Sequence, residues 1–289
     1  IAYRQTQSLD DYILGGRKLG PTLVALSVGA SDMSGWLLLG LPGAVYLSGL
    51  SEIWIGVGLV FGAYLNWRFI ARSIRIYSER ASNALTLPDY FEFRFNDQSR
   101  IVRSVSAVVI LLFFTFYVAS GLVGGALLFE SSFSISYNNA LLGGCFIIVS
   151  YTFMGGFLAV VWTDAVQAIL ILLALVIVPF LVLNLIGNSD GLVSNMESIK
   201  PGSTNLFSGI SVIGFLSLIG WGLGYFGQPH ILTRFMAAQN PDEMNIARRT
   251  GMSWMIIVLF GSVASGLAGI IFFAEDPLDN SETVFIALN

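Results

Sequence analysis

One cysteine and one histidine stand in the whole 289-residue chain, and each scarcity closes off a class of function. Cys145 lies in an apolar run without a second thiol, which excludes a disulfide framework and a cysteine metal cluster. His230 alone does not make a histidine-based metal site. Charge is also scarce: Asp, Glu, Lys and Arg are 11% of the residues, against roughly 25% in ordinary soluble domains. The net charge of −4 is spread over several loops, so nothing points to nucleic acid as a partner. The opening IAYRQTQSLDDYILGG lacks an initiator Met and the order of a signal peptide, and the closing SETVFIALN starts a new apolar stretch. The expectation is a piece of a longer protein, truncated at both ends.

What the chain has instead is apolar length. Hydrophobic residues make up 55% of it and the mean hydropathy is +0.76, which predicts an all-α integral membrane protein. A crossing helix needs about 20 mainly apolar residues. Seven stretches qualify, at about residues 21–46, 52–70, 104–129, 140–161, 165–187, 208–233 and 251–274, within one transmembrane domain over 1–289. If the loops alternate sides, 13 of the 14 Lys and Arg fall together, Arg4, Arg17, Arg75 and Arg234 among them, and only Lys200 falls opposite. The positive-inside rule makes the larger group cytoplasmic and places a multi-pass protein in the cytoplasmic membrane, with the lipid bilayer as its solvent. Residues 72–95 read as a solvated basic collar touching anionic headgroups, with gating as the alternative.

Two spans are built to come apart. In GASDMSGWLLLGLPGA, residues 29–44, four glycines accompany Pro42; in GWGLGYFGQPHILTRF, residues 220–235, four glycines precede Pro229. Glycine costs about 1 kcal/mol against alanine inside a helix, and proline removes a backbone donor. In lipid the freed carbonyls must be met by protein, a cavity or an ion. Paired breaks five spans apart predict an inverted-repeat transporter with a mid-membrane site. Residues 21–187 would form the first five-helix repeat, and 208–274 the first two helices of the second.

Asp32 lies inside the first break. An acid there costs about 2.5–3.5 kcal/mol on insertion scales and marks an ion path, the competing reading being a helix cap or an arginine partner. Sodium wants oxygen ligands, and the carbonyls around Ala30 and Met33, with Ser34 beside them, offer these next to the Asp32 charge. In the sixth span Trp221, Tyr225 and Phe226 bring rings to an apolar solute, as does Tyr117 in the third; for any one ring, packing is the competing reading. Asp164, in VVWTDAVQ, sits at the expected cytoplasmic start of the fifth span, where Thr163 could cap and the carboxylate suits a helix N-terminus; a place on the ion exit path is the alternative. Glu52 reads as a similar helix-start acid, and His230 as a hydrogen-bonding residue of the half-helix. An intramembrane protease pairing Asp32 with Asp164 has no supporting motif.

GASDMSGWLLLGLPGAVYLSG, NALTLPDYFEFRF, ILLFFTFYVASG, YTFMGGFLAVVWTDAVQA and GWGLGYFGQPHILTRFMAA closely resemble the sodium:solute symporter family, and within it the carriers of L-proline, over nearly the whole chain. The resemblance implies a LeuT-type fold of ten core helices in two inverted repeats. It also implies sodium-coupled secondary active uptake of L-proline, with Na+ as the coupling ion and no enzymatic step. By the same resemblance, sodium contacts fall on Ala30, Asp32 and Met33, and Asp164 lies on the sodium passage. Solute contacts fall on Tyr117, Trp221 and Tyr225, with Ser34 beside them and Pro229 shaping the break. Arg17, in LGGR, is the loop arginine of the ion pathway or gate. The remaining sodium ligands are implied on a later core helix that this chain does not include, so the piece alone should hold an incomplete sodium site. A different small solute and a transporter-like sensor domain are the alternatives, and the oligomeric state is left open.

Overall fold

The structure is a computed structural model that describes residues 6–187 and 191–289; Arg4 lies outside the described residues. Helix α1 (Leu9–Leu14) starts where the Ser8 hydroxyl accepts from the Asp11 amide and stops at Gly15, φ +63°. α2 (Pro21–Met33) opens on proline, whose missing N–H costs nothing there. A 3-10 turn at Gly35–Leu37 leads to α3 (Gly40–Ser48). α4 (Ile53–Leu65) runs through a π-helical turn, Asn66–Ala71, into α5 (Arg72–Arg80). α6 (Leu87–Arg94), capped by Thr86, precedes α7 (Ile101–Phe133), α8 (Tyr137–Ile186) and α9 (Leu192–Ile199). α10 (Val212–Gly220) passes into a 3-10 stretch, Trp221–Gly227, followed by α11 (Pro229–Met236), α12 (Met244–Phe272) and α13 (Val284–Ala287). The described residues form no β-sheet; a lone bridge joins Leu19 to Ala238.

The architecture is the all-α membrane class that composition predicts. The paths Leu50–Arg80, Ile101–Phe133, Tyr137–Ile186 and Pro241–Phe272 are each long and apolar enough to cross a bilayer. Leu111, Phe113 and Phe116 of α7 face outward, as a hydrocarbon solvent allows. Two boundaries differ from expectation, the first being that the second span stays helical to Arg80, into the stretch read as a loop. α8 runs for 50 residues, about 75 Å at 1.5 Å per residue, more than twice a hydrocarbon core of about 30 Å. It contains both the fourth and fifth candidate spans, and no loop separates them near 162–164. The break falls at Gly156, φ +59° and ψ −153°. A Cβ there would lie 2.8 Å from both the ring and the carbonyl of Tyr12, so backbone and neighbour both demand glycine.

The chain divides into two compact units. One comprises Ile1–Asp32, Tyr64–Ala168 and Tyr225–Gly251; the other comprises Met33–Ala63, Ile169–Gly224 and Met252–Asn289. The second unit is held by backbone-to-backbone packing, which small residues permit where lipid supplies no hydrophobic drive. A Cβ on Gly62 of α4 would lie 2.0 Å from the Gly222 carbonyl oxygen, and one on Gly58 would lie 2.5 Å from that of Ile219. Pro179 removes the α-helical donor for the Leu175 carbonyl, and Gly261 of α12 packs against that oxygen, where a Cβ would come within 2.1 Å. Gly62→Ala is therefore expected to destabilise the whole protein by at least about 1–3 kcal/mol. Thermal unfolding in detergent checks this, with Gly125→Ala, whose Cβ would meet open space, as the neutral control. A Gly62→Ala melting point equal to that control would refute the close seam.

The first unit corrects the reading of the basic collar. Arg75 is 5% exposed. It donates to the carbonyl oxygens of Ala238 and Gln239 and pairs with Glu79 at 2.6 Å. The collar is thus solvated only in part, because one of its arginines turns inward to carbonyls that follow α11. Arg103 ties α7 to α6 through Asp89 at 2.9 Å and Glu92 at 3.0 Å.

Candidate functional site

In the first unit the last turn of α2 meets side chains of α7 and of the broken sixth span. α2 ends because Ser34 takes φ +40°, a conformation uncommon for a residue with a side chain. Asp32 therefore stands at a helix end, with its side chain only 10% exposed. Its Oδ2 accepts from the Tyr225 hydroxyl at 2.5 Å, and its Oδ1 lies 4.0 Å from His230 Nε2. The Tyr117 hydroxyl donates to the Ser31 carbonyl at 2.6 Å, satisfying one of the four carbonyls that a helix C-terminus leaves without partners.

His230 departs from expectation. Both of its ring nitrogens are buried without a hydrogen-bond partner. Its ring stacks on Tyr117, with centroids 5.2 Å apart and planes at 22°, and lies 5.4 Å from Phe114. Ring packing sets its orientation, and that leaves the Asp32 carboxylate beyond hydrogen-bond reach. The backbone carbonyl of Tyr225 accepts from Asn66 Nδ2 at 3.0 Å. Sequence reasoning passed over Asn66; the signal was a lone amide in the apolar run FGAYLNWRFI.

Asp164 is also placed differently from its expected capping role. The helix is continuous through it, and the Thr163 hydroxyl donates back to the Ala159 and Val160 carbonyls instead of capping. Asp164 Oδ2 accepts from Arg234 Nη2 at 2.6 Å and from Ser27 Oγ at 2.7 Å. Arg234 Nε donates to Ser27 Oγ at 2.6 Å, and its Nη1 to the His230 carbonyl at 2.7 Å. All three side chains are buried, so α2, α8 and α11 are joined by one buried, hydrogen-bonded ion pair. Sequence alone places Arg234 among the loop charges and gives Ser27 no distinguishing mark.

Arg17 forms a third cluster. Its Nη1 donates to the Met236 carbonyl at 2.7 Å and Ser78 Oγ at 3.0 Å, its Nη2 to the Ala84 carbonyl at 2.9 Å, and its Nε to Asn83 Oδ1 at 3.1 Å. Burial, and then the charge of Arg75, push its guanidinium down to about 10, so it stays cationic at neutral pH. Cations suit the carbonyl end of a helix, and Met236 is the last residue of α11.

The residues singled out from sequence thus divide. Ala30, Asp32, Tyr117, Tyr225, Pro229, Asp164 and Arg17 belong to the first unit, and Met33, Ser34 and Trp221 to the second. In the second unit the Trp221 ring centroid lies 5.9 Å from that of Trp36.

Comparison with known proteins adds three findings. The sequence model of the sodium:solute symporter family matches residues 12–288. The sodium/proline symporter of Escherichia coli strain K12 is 54% identical over 297 residues, covering 100% of this chain and 59% of its own length. The high-affinity proline transporter PutP of Bacillus subtilis is 49% identical over 290 residues, covering 100% of this chain and 61% of its own length. This chain therefore spans about three-fifths of these relatives. Among solved structures, the substrate-bound outward-open state of a Na+-coupled sialic acid symporter superposes with a TM-score of 0.82 at 18% identity, over 98% of this chain and 61% of that one. At that identity the match speaks for the fold.

Proposed function

Because the chain belongs to the sodium:solute symporter family, whose model matches residues 12–288, we propose that the whole protein takes up L-proline across the cytoplasmic membrane by symport with sodium. The observation that carries this reading is the hydrogen bond from Tyr225, in one broken span, to the carboxylate of Asp32, beside the break of another. A buried carboxylate at a helix end, held by a phenol and not by an arginine, keeps its charge available to a cation.

Sodium is here a co-transported ion and not a resident cofactor. Asp32 supplies charge to it, and the carbonyls of Ala30 and Met33 supply oxygen ligands of the kind a hard cation prefers. Tyr117 and Tyr225 offer ring faces to an apolar solute, with Pro229 shaping the backbone beside them. Trp221, as a further ring, and Ser34 are proposed for the solute as well. Asp164 and Arg17 are proposed for the ion pathway and gate. The family is one of transporters, and Asp32 and Asp164 each have their own partners, so they are not an acid dyad.

Labelled L-proline uptake into vesicles bearing the whole protein, with and without an inward sodium gradient, tests the proposal. Uptake stimulated by the gradient is the expected result. A correctly inserted protein without proline uptake would remove proline as the solute, and uptake indifferent to sodium would remove the coupling.

A further inference from the structure

The break in span six leaves a backbone oxygen to be accounted for. In a continuous α-helix the carbonyl of residue 225 would accept from the amide of residue 229. Residue 229 is proline, which has no N–H and opens α11. The Tyr225 carbonyl accepts instead from the side-chain amide of Asn66, at 3.0 Å. Both residues are buried, at 1% and 3% exposure, where a carbonyl without a donor is costly.

Two features of Asn66 go beyond a chance contact. It opens the π-helical turn Asn66–Ala71, and such turns occur frequently at functional sites. Its Oδ1 is buried with no hydrogen-bond partner, a cost that an apolar residue of similar size would avoid. What the position retains in return is a donor. Four and eight residues earlier on the same helical path, Gly62 and Gly58 approach the backbone of Gly222 and Ile219.

We infer that Asn66 is a positioning residue for sodium coupling: its amide stands in for the N–H that Pro229 lacks, fixes the backbone at Tyr225, and so presents the Tyr225 hydroxyl to Asp32. The coupling half of this inference rests on the proposed symport; the backbone half does not.

Hydrogen–deuterium exchange of the whole protein in lipid nanodiscs reads the backbone half without any solute. Asn66→Leu is expected to raise exchange across residues 221–228 about tenfold. Asn66→Leu combined with Pro229→Ala, which gives residue 229 its own N–H, is expected to return exchange toward the native level. Sodium titration of proline uptake reads the coupling half. Asn66→Leu should raise the half-saturating sodium concentration about tenfold, the loss expected for a hydrogen bond to a charged group. The maximal rate should change less, and Tyr225→Phe added to it should shift half-saturation no further. Unchanged exchange would overturn the inference. So would increased exchange with unmoved half-saturation, or shifts from the two variants that multiply. If Asn66→Leu fails to insert, recovery in the Pro229→Ala double variant upholds the inference and failure of both overturns it. Sodium-independent uptake by the unsubstituted protein would bring down the symport reading and the coupling half together, while exchange would still decide the bond to Tyr225.

Discussion

Replacing Arg234 by methionine in the whole protein is expected to remove about 3–5 kcal/mol of stability, the range for stripping one partner from a buried ion pair. Asp164 would then keep a buried carboxylate with only the Ser27 hydroxyl against it, and Ser27 would lose the Arg234 Nε donor. Removing both charges is a different experiment. Asp164→Asn with Arg234→Met leaves no uncompensated charge, and well-packed apolar replacements of buried pairs are often neutral. The double variant should therefore recover most of what the single variant loses, a coupling that thermal unfolding of both single variants and the double would measure. Equal and additive losses would mean that the pair is not the unit it looks like. A single variant as stable as the unsubstituted protein would mean that another cation reaches Asp164. That second outcome would favour its proposed place on the sodium path, and added sodium should then raise the melting point of the Arg234→Met variant by mass action.

The same pair shows where sequence reading stops. The positive-inside count uses Arg75 and Arg234 correctly, as markers of a side, but carries no information on depth. Both turn inward to partners more than 60 residues away in sequence. From sequence Asp164 reads as a helix-start acid because the polar pair Thr163–Asp164 interrupts an apolar run, which is where hydropathy places a loop. The chain turns aside at Gly156 instead, where a positive φ and the touching Tyr12 demand glycine; a glycine in an apolar run gives hydropathy little to detect. The two breaks were legible because their causes are local. Glycines and Pro229 weaken the helix wherever it packs, and the structure breaks at Ser34 and again between Gly227 and Pro229. Pro42 weakens the helix less than the sequence suggests. It falls in the first turn of α3, where a missing N–H leaves no bond unmade. The partners that complete the site, Tyr225 for Asp32 and Asn66 for Tyr225, come from 193 and 159 residues away and have no local signature.

On the proposed symport, Asp32→Asn in the whole protein is expected to abolish sodium-driven accumulation while leaving the protein folded. The amide has nearly the shape of the carboxylate, and its oxygen can still accept from the Tyr225 hydroxyl, so the contact between the two broken spans persists in neutral form. What is lost is the negative charge. One sodium ion moving down about 100 mV supplies roughly 2.3 kcal/mol, enough for about a fifty-fold solute ratio at about 1.4 kcal/mol per tenfold. A variant that no longer binds the ion should fall to a ratio near one, measured as steady-state labelled proline inside vesicles at fixed potential. Tyr225→Phe is the informative companion, because it keeps the charge and removes only the donor. A hydrogen bond to a charged group contributes about 1.5–3 kcal/mol, so this variant should need at least about tenfold more sodium and still accumulate proline when sodium is saturating. The order of severity separates two roles for the carboxylate. If Asp32→Asn is far worse than Tyr225→Phe, the charge acts on the ion and the phenol only places it. If the two are equally damaging and sodium does not rescue Tyr225→Phe, the hydrogen bond itself is the functional element, joining the breaks of spans one and six whatever ion is present. If Asp32→Asn still accumulates proline with a sodium gradient, the ion is held elsewhere and Asp32 serves the helix break alone.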